Sequence, residues 1–239
     1  DEVRIDAAQL CYKLNAILPR TIEIHEVSQA DPEFHARFDA TSREYHYFIH
    51  FRKDPFCERF SYRLRYPLDI NKMNEAAAYL LGEHDFSCFE KTGGNNATSV
   101  CTVTEASWKV YRPWHSELMG YPYEEGDYIV FTIRANRFLR NMVRAVVGSL
   151  IEVGRGKRQP EWIAGLIAGG LADLHRIGQT DAVPDNGKVI HMLMTADDVL
   201  HISGFFEDGE KAFLIRHTVA PRTADVFIFL PECTEAFTK

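Results

Sequence analysis

An α+β fold, in which an antiparallel or mixed sheet carries helices on one face, is predicted by three observations. Toward the end of residues 34–51 the chain alternates, with Tyr45, Tyr47, Ile49 and Phe51 on one side and Glu44, His46 and His50 mostly on the other, the pattern of a half-buried strand. Two further strand-like runs, 100–111 and 127–135, flank a connection broken by Pro113, Gly120, Pro122 and Gly126, and predict an antiparallel hairpin. The full order reads helix, strands, helix, hairpin, helix, helix, strand, which suits a sheet with helices on one side.

Taken in order, residues 6–18 repeat Ala7, Leu10, Cys11, Leu14, Ile17 and Leu18 at helical spacing, and Pro19 closes the helix. A short strand is expected over 21–27. Asp69 is placed to cap a helix whose apolar face carries Met73, Ala76, Ala77, Leu80 and Leu81, with Gly82 ending it. Residues 84–90 read as a turn or short helix, and 91–99 (KTGGNNATS) as an exposed loop. After the hairpin come a basic helix, a helix over 161–168 behind Pro160, a loop over 178–187 and a strand over 188–194. The tail changes character: 200–206, 211–218 and 225–230 read as three short strands, turning at Asp208-Gly209 and Pro221. Residues 1–195 are thus expected to form the main domain, and 196–239 a β-rich extension. The chain has no internal repeat.

At 239 residues, 46% hydrophobic, the chain can bury one sizeable core or two smaller ones. No apolar run approaches the roughly 20 residues of a membrane span, and the start, DEVRIDAAQL, has no signal-peptide layout, so a cytoplasmic location without membrane contact is expected. The chain opens on Asp1, directly into a helix, which predicts an upstream part removed by processing or truncation. Cys11, Cys57, Cys88, Cys101 and Cys233 are scattered, with no CxxC pair and no Cys/His cluster at zinc spacing, and read as reduced thiols.

A net charge of −7 argues against a surface that binds nucleic acid everywhere, yet residues 134–158 hold seven arginines and lysines against one acid, Glu152. If 137–150 is one helix, Arg137, Arg140 and Arg144 fall within an arc of about 60°, opposite Leu139, Met142, Val143, Val146 and Leu150. A solvated basic face explains such a helix as well as a binding face does.

Three motifs resolve the choice by resemblance. Phe34-His-Ala-Arg-Phe-Asp-Ala-Thr-Ser-Arg-Glu-Tyr-His-Tyr47, Leu81-Gly-Glu-His-Asp-Phe86, and Asn136-Arg-Phe-Leu-Arg-Asn-Met-Val-Arg-Ala-Val-Val-Gly148 followed by Glu152-Val-Gly-Arg-Gly156 resemble, in order and spacing, signatures of the TruA-type tRNA pseudouridine synthases. Residues 1–19 and the loop 177–187 are similar to that family's lead-in and closing loop, so the resemblance covers about 1–195. It implies a pseudouridine synthase-like fold, isomerisation of uridine in the tRNA anticodon stem-loop, a homodimer, and no metal or organic cofactor.

It also assigns residues. Arg144 matches the arginine that pairs with the nucleophilic aspartate, lowering its pKa and fixing its orientation. Tyr45 matches the active-site tyrosine, which offers a ring for the flipped base and a hydroxyl near the reacting carbon. Leu139 matches the aliphatic residue that packs against that base. Arg37, Arg43, Arg137, Arg140, Arg155 and Lys157 become candidate phosphate contacts. The family's aspartate motif, GRTD.GVHA, is absent; Gln179-Thr-Asp181 and Arg222-Thr-Ala-Asp225 echo it in the wrong places. The 239 residues alone are therefore expected to be inactive. Two other readings stay open: a non-catalytic module that binds structured RNA, and an α+β enzyme acting on a phosphorylated small molecule. Gly154-Arg-Gly-Lys157 lacks the spacing of a phosphate-binding loop, and His84-Asp85 has no partner cluster for a metal.

Overall fold

The computed structural model describes residues 6–18, 23–28, 39–58, 61–91 and 97–169 in full, and the backbone of 190–195, 199–207 and 210–217. Eight strands form one sheet: β1 (Ser42–His50), β2 (Tyr62–Arg63), β3 (Gly82–Asp85), β4 (Val100–Val110), β5 (Tyr128–Ala135), β6 (Ile190–Thr195), β7 (Val199–Glu207) and β8 (Glu210–His217). Their order is β3-β4-β5-β1-β6-β7-β8, antiparallel throughout, while β2 pairs with β1 in parallel. Helices α1 (Ala7–Ile17), α2 (Ile70–Ala78), α3 (Trp114–Leu118), α4 (Met142–Gly154) and α5 (Trp162–Ile167) complete the described fold. The arrangement is α+β, as the order of elements predicts.

Period two fixes which sheet face is buried. In β5, Ile129, Phe131, Ile133 and Ala135 are fully buried beside Met73, Ala76 and Ala77 of α2 and Val146, Leu150 and Val153 of α4, in one cluster that also includes α5. In β4 the inward residues are Cys101 and Val103, then Ala106 and Trp108. The switch from odd to even positions comes from a bulge at Thr104, where Val103 pairs with Ala135 but Glu105 already pairs with Arg134. Trp108 then stacks on its cross-strand partner Phe131, centroids 4.9 Å apart.

The start of α2 is as the sequence predicts: Asp69 accepts from the Lys72 amide at 3.1 Å. Its far end is not. The helix stops at Ala78, and Leu81, expected on the apolar face, is 43% exposed. Residues 84–90 also differ from expectation. Gly82–Asp85 pairs with β4, and only Ser87–Phe89 turn helically, with Asp85 Oδ1 accepting the Ser87 amide at 2.8 Å. Pairing with a neighbour outweighed local propensity there.

Three asparagines stand in for backbone partners. Asn74 of α2 donates to the Trp108 carbonyl (3.1 Å) and accepts its amide (2.7 Å), covering β4 beyond the end of β3. Asn15 of α1 does the same for Ile24, at 2.7 Å in both directions. Of the strand expected over 21–27, Ile24 forms a single bridge, and residues 21 and 22 lie outside the described residues. The third asparagine, Asn136, belongs to the site below.

In the tail, two of the three expected strands are present as the hairpin β7–β8. Through β6, which pairs with β1, they continue the main sheet rather than forming an appendage. The third expected strand, 225–230, the loop 178–187 and the FHARF segment 34–38 with Arg37 lie outside the described residues. No helix among the described residues is long and apolar enough to cross a membrane.

Candidate functional site

Strand β1 sends Tyr45 and Tyr47 toward the helices and Glu44 and His46 to the opposite face, following the alternation in the sequence. On that opposite face, Glu44, 5% exposed, is held by Arg134, its partner across β5, and by His46 Nε2 at 2.8 Å. His46 Nδ1 in turn meets Thr132 Oγ1 at 3.1 Å.

On the helix face, Tyr45 is half-buried and meets the ring of Phe138 edge-on, centroids 4.9 Å apart at 84°. Burial pushes its phenol up to about 12, against the pull of the neighbouring Arg43. Tyr47, two residues on, is 3% exposed; burial and then Tyr62 push its phenol up, while the Arg144 guanidinium draws it down. That opposing pull brings the Arg144 charge within electrostatic reach of Tyr47.

The connection that brings Arg144 there is tightly held. Asn136 continues the sheet past β5: its amide donates to the Thr102 carbonyl (3.0 Å) and its Oδ1 accepts the Thr102 amide (2.9 Å). Arg43 Nη1 donates to the carbonyls of Asn136 (2.6 Å) and Ala40 (2.9 Å), tying the start of β1 to the same point. Leu139, 4% exposed, anchors the middle of the connection in the core.

The expected helix over 137–150 is not formed as a whole. Asn141 takes φ 65° and α4 begins at Met142, because asparagine tolerates the left-handed region that ends one backbone course and starts another. Arg137 and Arg140 therefore precede the helix and do not share an arc with Arg144. Arg137 donates to the Thr98 carbonyl, and the exposed Arg140 accepts the Lys91 amide on its carbonyl at 3.0 Å.

Arg144, half-buried, occupies the first turn of α4, where the helix dipole disfavours a cation by about 0.3–1 kcal/mol and favours an anion. Arg155 and Lys157 lie past the other end of α4, about 16 Å along its axis from Arg144, so the structure does not gather them with the tyrosines. Both reach Glu152 Oε1 at 3.2 Å, and Arg155 also covers the ring of Tyr66, 4.4 Å from its centroid.

Of the sequence-based set, Tyr45 packs on Phe138, Leu139 is buried in the core, Arg144 bears electrostatically on Tyr47, and Arg43 braces the start of β1. Sequence reasoning missed Phe138 as the neighbour of Tyr45, Tyr47 as that of Arg144, and Asn136 as the fixed point. A signal was available for Asn136, a turn-forming residue directly after a strand.

Residues 76–190, from the second turn of α2 to the first residue of β6, match the family model for tRNA pseudouridine synthase. Over this stretch the chain matches that family. Among relatives, the tRNA pseudouridine synthase A of Bacteroides fragilis is 44% identical over 154 residues, 64% of this chain and 56% of that protein. That of Parabacteroides distasonis is 45% identical over 152 residues, 64% and 55% of the two chains. That of Chlorobaculum tepidum is 40% identical over 162 residues, 68% and 60%. The chain spans little more than half the length of these tRNA pseudouridine synthases.

Proposed function

We propose that this chain supplies the arginine and tyrosine side of a site that isomerises uridine to pseudouridine in the anticodon stem-loop of tRNA, in a cytoplasmic homodimer. The reading is supported by Arg144, whose guanidinium acts electrostatically on Tyr47 from the first turn of α4, where a cation costs helix stability. In a family of tRNA pseudouridine synthases, that cost is offset if the guanidinium holds a nucleophilic carboxylate ionised and oriented. The carboxylate comes from sequence outside these 239 residues, since the aspartate motif is not among them.

In the reaction, the bond between the sugar and N1 of uracil breaks, the base turns, and a bond from the sugar to C5 forms as the C5 proton leaves and N1 takes up a proton. The base must first be flipped from its stack. Tyr45, edge-packed on Phe138, offers the ring against which it rests, and Leu139 closes the apolar side. Arg137 and Arg140, bonded to Thr98 and Lys91, with Arg37, Arg43, Arg155 and Lys157, meet backbone phosphates. For Arg43 this uses guanidinium donors other than the Nη1 that binds the Ala40 and Asn136 carbonyls.

The test is tritium release from tRNA labelled at uracil C5, measured on the complete protein. Release is expected to vanish in Arg144→Ala and to fall sharply in Tyr45→Phe, with tRNA still bound. Full activity of Arg144→Ala would overturn the role of Arg144. Salt-sensitive binding without any release by the unmutated complete protein would leave an RNA-binding module instead.

A further inference from the structure

On the sheet face away from Arg144, a second group of side chains converges that the proposed reaction does not use. Asp54 and Cys57 come from one tight turn after β1, closed by the Cys57 amide donating to the Asp54 carbonyl at 3.2 Å. His115 comes from α3, 58 residues beyond Cys57. The three are 0%, 8% and 3% exposed, and one carboxylate oxygen, one sulfur and one ring nitrogen all lie within 4.8 Å of one another. His115 Nε2 is 2.7 Å from Asp54 Oδ2 and 4.0 Å from Cys57 Sγ. Tyr128 Oη donates to Asp54 Oδ2 at 2.7 Å, and the Phe56 amide donates to Asp54 Oδ1 at 2.9 Å.

Carboxylate, thiolate and imidazole form a ligand set suited to zinc, the sulfur selecting it over magnesium or calcium. The Asp-x-x-Cys turn with a distant histidine supplies two ligands from one turn and a third from another element, with aspartate where zinc turns of C-x2–4-C spacing carry their first cysteine. Geometry permits the ion. Ligand atoms of one tetrahedral zinc sit about 3.2–3.8 Å apart, so the aspartate–histidine separation must open by roughly 0.6 Å, the cysteine–histidine separation close by a few tenths of an ångström, and the aspartate–cysteine separation, within 4.8 Å, close by up to about 1 Å. Side-chain rotations supply such shifts. Charge favours it as well. Zinc with one carboxylate and one thiolate is neutral overall, as a buried site requires, and binding releases only the thiol proton.

We propose that Asp54 Oδ, Cys57 Sγ and His115 Nε2 form a site for one Zn²⁺ per chain, with a water as fourth ligand. The ion fastens the turn after β1 to α3, on a part of the molecule remote from Arg144. Isolated sequence spacing does not reveal the site, because its third ligand is brought in by the pairing of β1 with β5.

The experiment loads the full chain with Co²⁺ as a spectroscopic stand-in, and separately with Zn²⁺ while thermal unfolding is followed. One Co²⁺ per chain is expected, with a thiolate-to-cobalt charge-transfer band that disappears in Cys57→Ser and is unchanged in Cys101→Ser. Zinc is expected to raise Tm by several degrees in the unmutated chain and in Cys101→Ser, and not in His115→Gln, whose amide can keep the hydrogen bond to Asp54. Absence of stoichiometric cobalt, a band that survives Cys57→Ser, or a Tm indifferent to zinc and to chelator would each overturn the site. The Tm reading on the unmutated chain decides the matter even if Cys57→Ser does not fold.

Discussion

Gly154 lies so close to Met73 that a Cβ built on it would stand 2.4 Å from the Met73 sulfur and 2.8 Å from its Cγ. This contact is where α4 crosses α2, and the Gly154 carbonyl there also accepts the Asp69 amide at 2.9 Å, at the start of α2. The motif Glu152-Val-Gly-Arg-Gly156 thereby acquires physical content. Glu152 holds Arg155 and Lys157, Gly154 admits a neighbouring helix, and Gly156 takes φ 73°, which an L side chain rarely adopts.

Gly154→Ala is accordingly expected to destabilise the chain by about 1–3 kcal/mol through overpacking. Met73→Ala in the same chain removes the clash but leaves its own cavity, so the two effects should be far from additive. Urea unfolding of the four variants measures this, and an unchanged midpoint in Gly154→Ala would contradict the close approach.

Asn15→Ala should loosen α1 in particular. It removes the Asn15 acceptor of the Ile24 amide and one donor to its carbonyl, which keeps the Cys11 thiol at 3.2 Å, a loss of about 1–3 kcal/mol if the amide stays covered. Asn15→Asp keeps the acceptor for the Ile24 amide and loses only the donor, so it should cost less. Hydrogen exchange of residues 7–17 reads the effect, with faster exchange there and none in α4 expected.

Tyr45 predicts an alkaline limb of stability. Its phenol is raised to about 12 from 10, so its contribution is complete below pH 10 and lost as pH climbs through 12. In that window the unfolded chain binds fewer protons than the folded one, and stability falls by up to about 1.4 kcal/mol per pH unit from this group. Tyr45→Phe should flatten that limb and remove one late phenolate from the ultraviolet titration.

Arg137 and Arg140 should separate in behaviour. Arg140→Ala, at an exposed side chain, is expected to reduce the salt slope of tRNA binding by roughly 0.7–0.9 without changing Tm. Arg137→Ala should do the same and also lower Tm, because its guanidinium holds the Thr98 carbonyl. Equal salt slopes in all three proteins would remove both from the RNA surface.

Much of this architecture was legible because its signals are local. The alternation through Tyr45, Tyr47 and Ile49, the Asp69 cap and the breakers between β4 and β5 each act within a few residues. What was not legible depends on contacts distant in sequence. The pairing of β3, whose Gly82–Asp85 is largely exposed, is decided by β4; the bulge at Thr104 shows only when β5 is laid beside it; α3 hides inside a Pro- and Gly-bearing connection. For the site, motif resemblance supplied Arg144 and Tyr45, but periodicity carried the helix five residues too far back. Nothing in apolar spacing announces that Asn141 turns left-handed. The cluster of Asp54, Cys57 and His115 was invisible for the same reason as β3.

Between Asn136, fixed to Thr102, and Asn141, fixed by its backbone twist, only four residues intervene. Such a short bridge with two set ends acts as a ruler: its length determines the rotational phase with which α4 leaves the sheet. Adding or removing one residue there would leave strand and helix sequences untouched, yet would turn every α4 side chain by about 100° relative to β1, carrying Arg144 away from the tyrosines. Over evolutionary time this stretch should tolerate exchanged side chains far better than altered length.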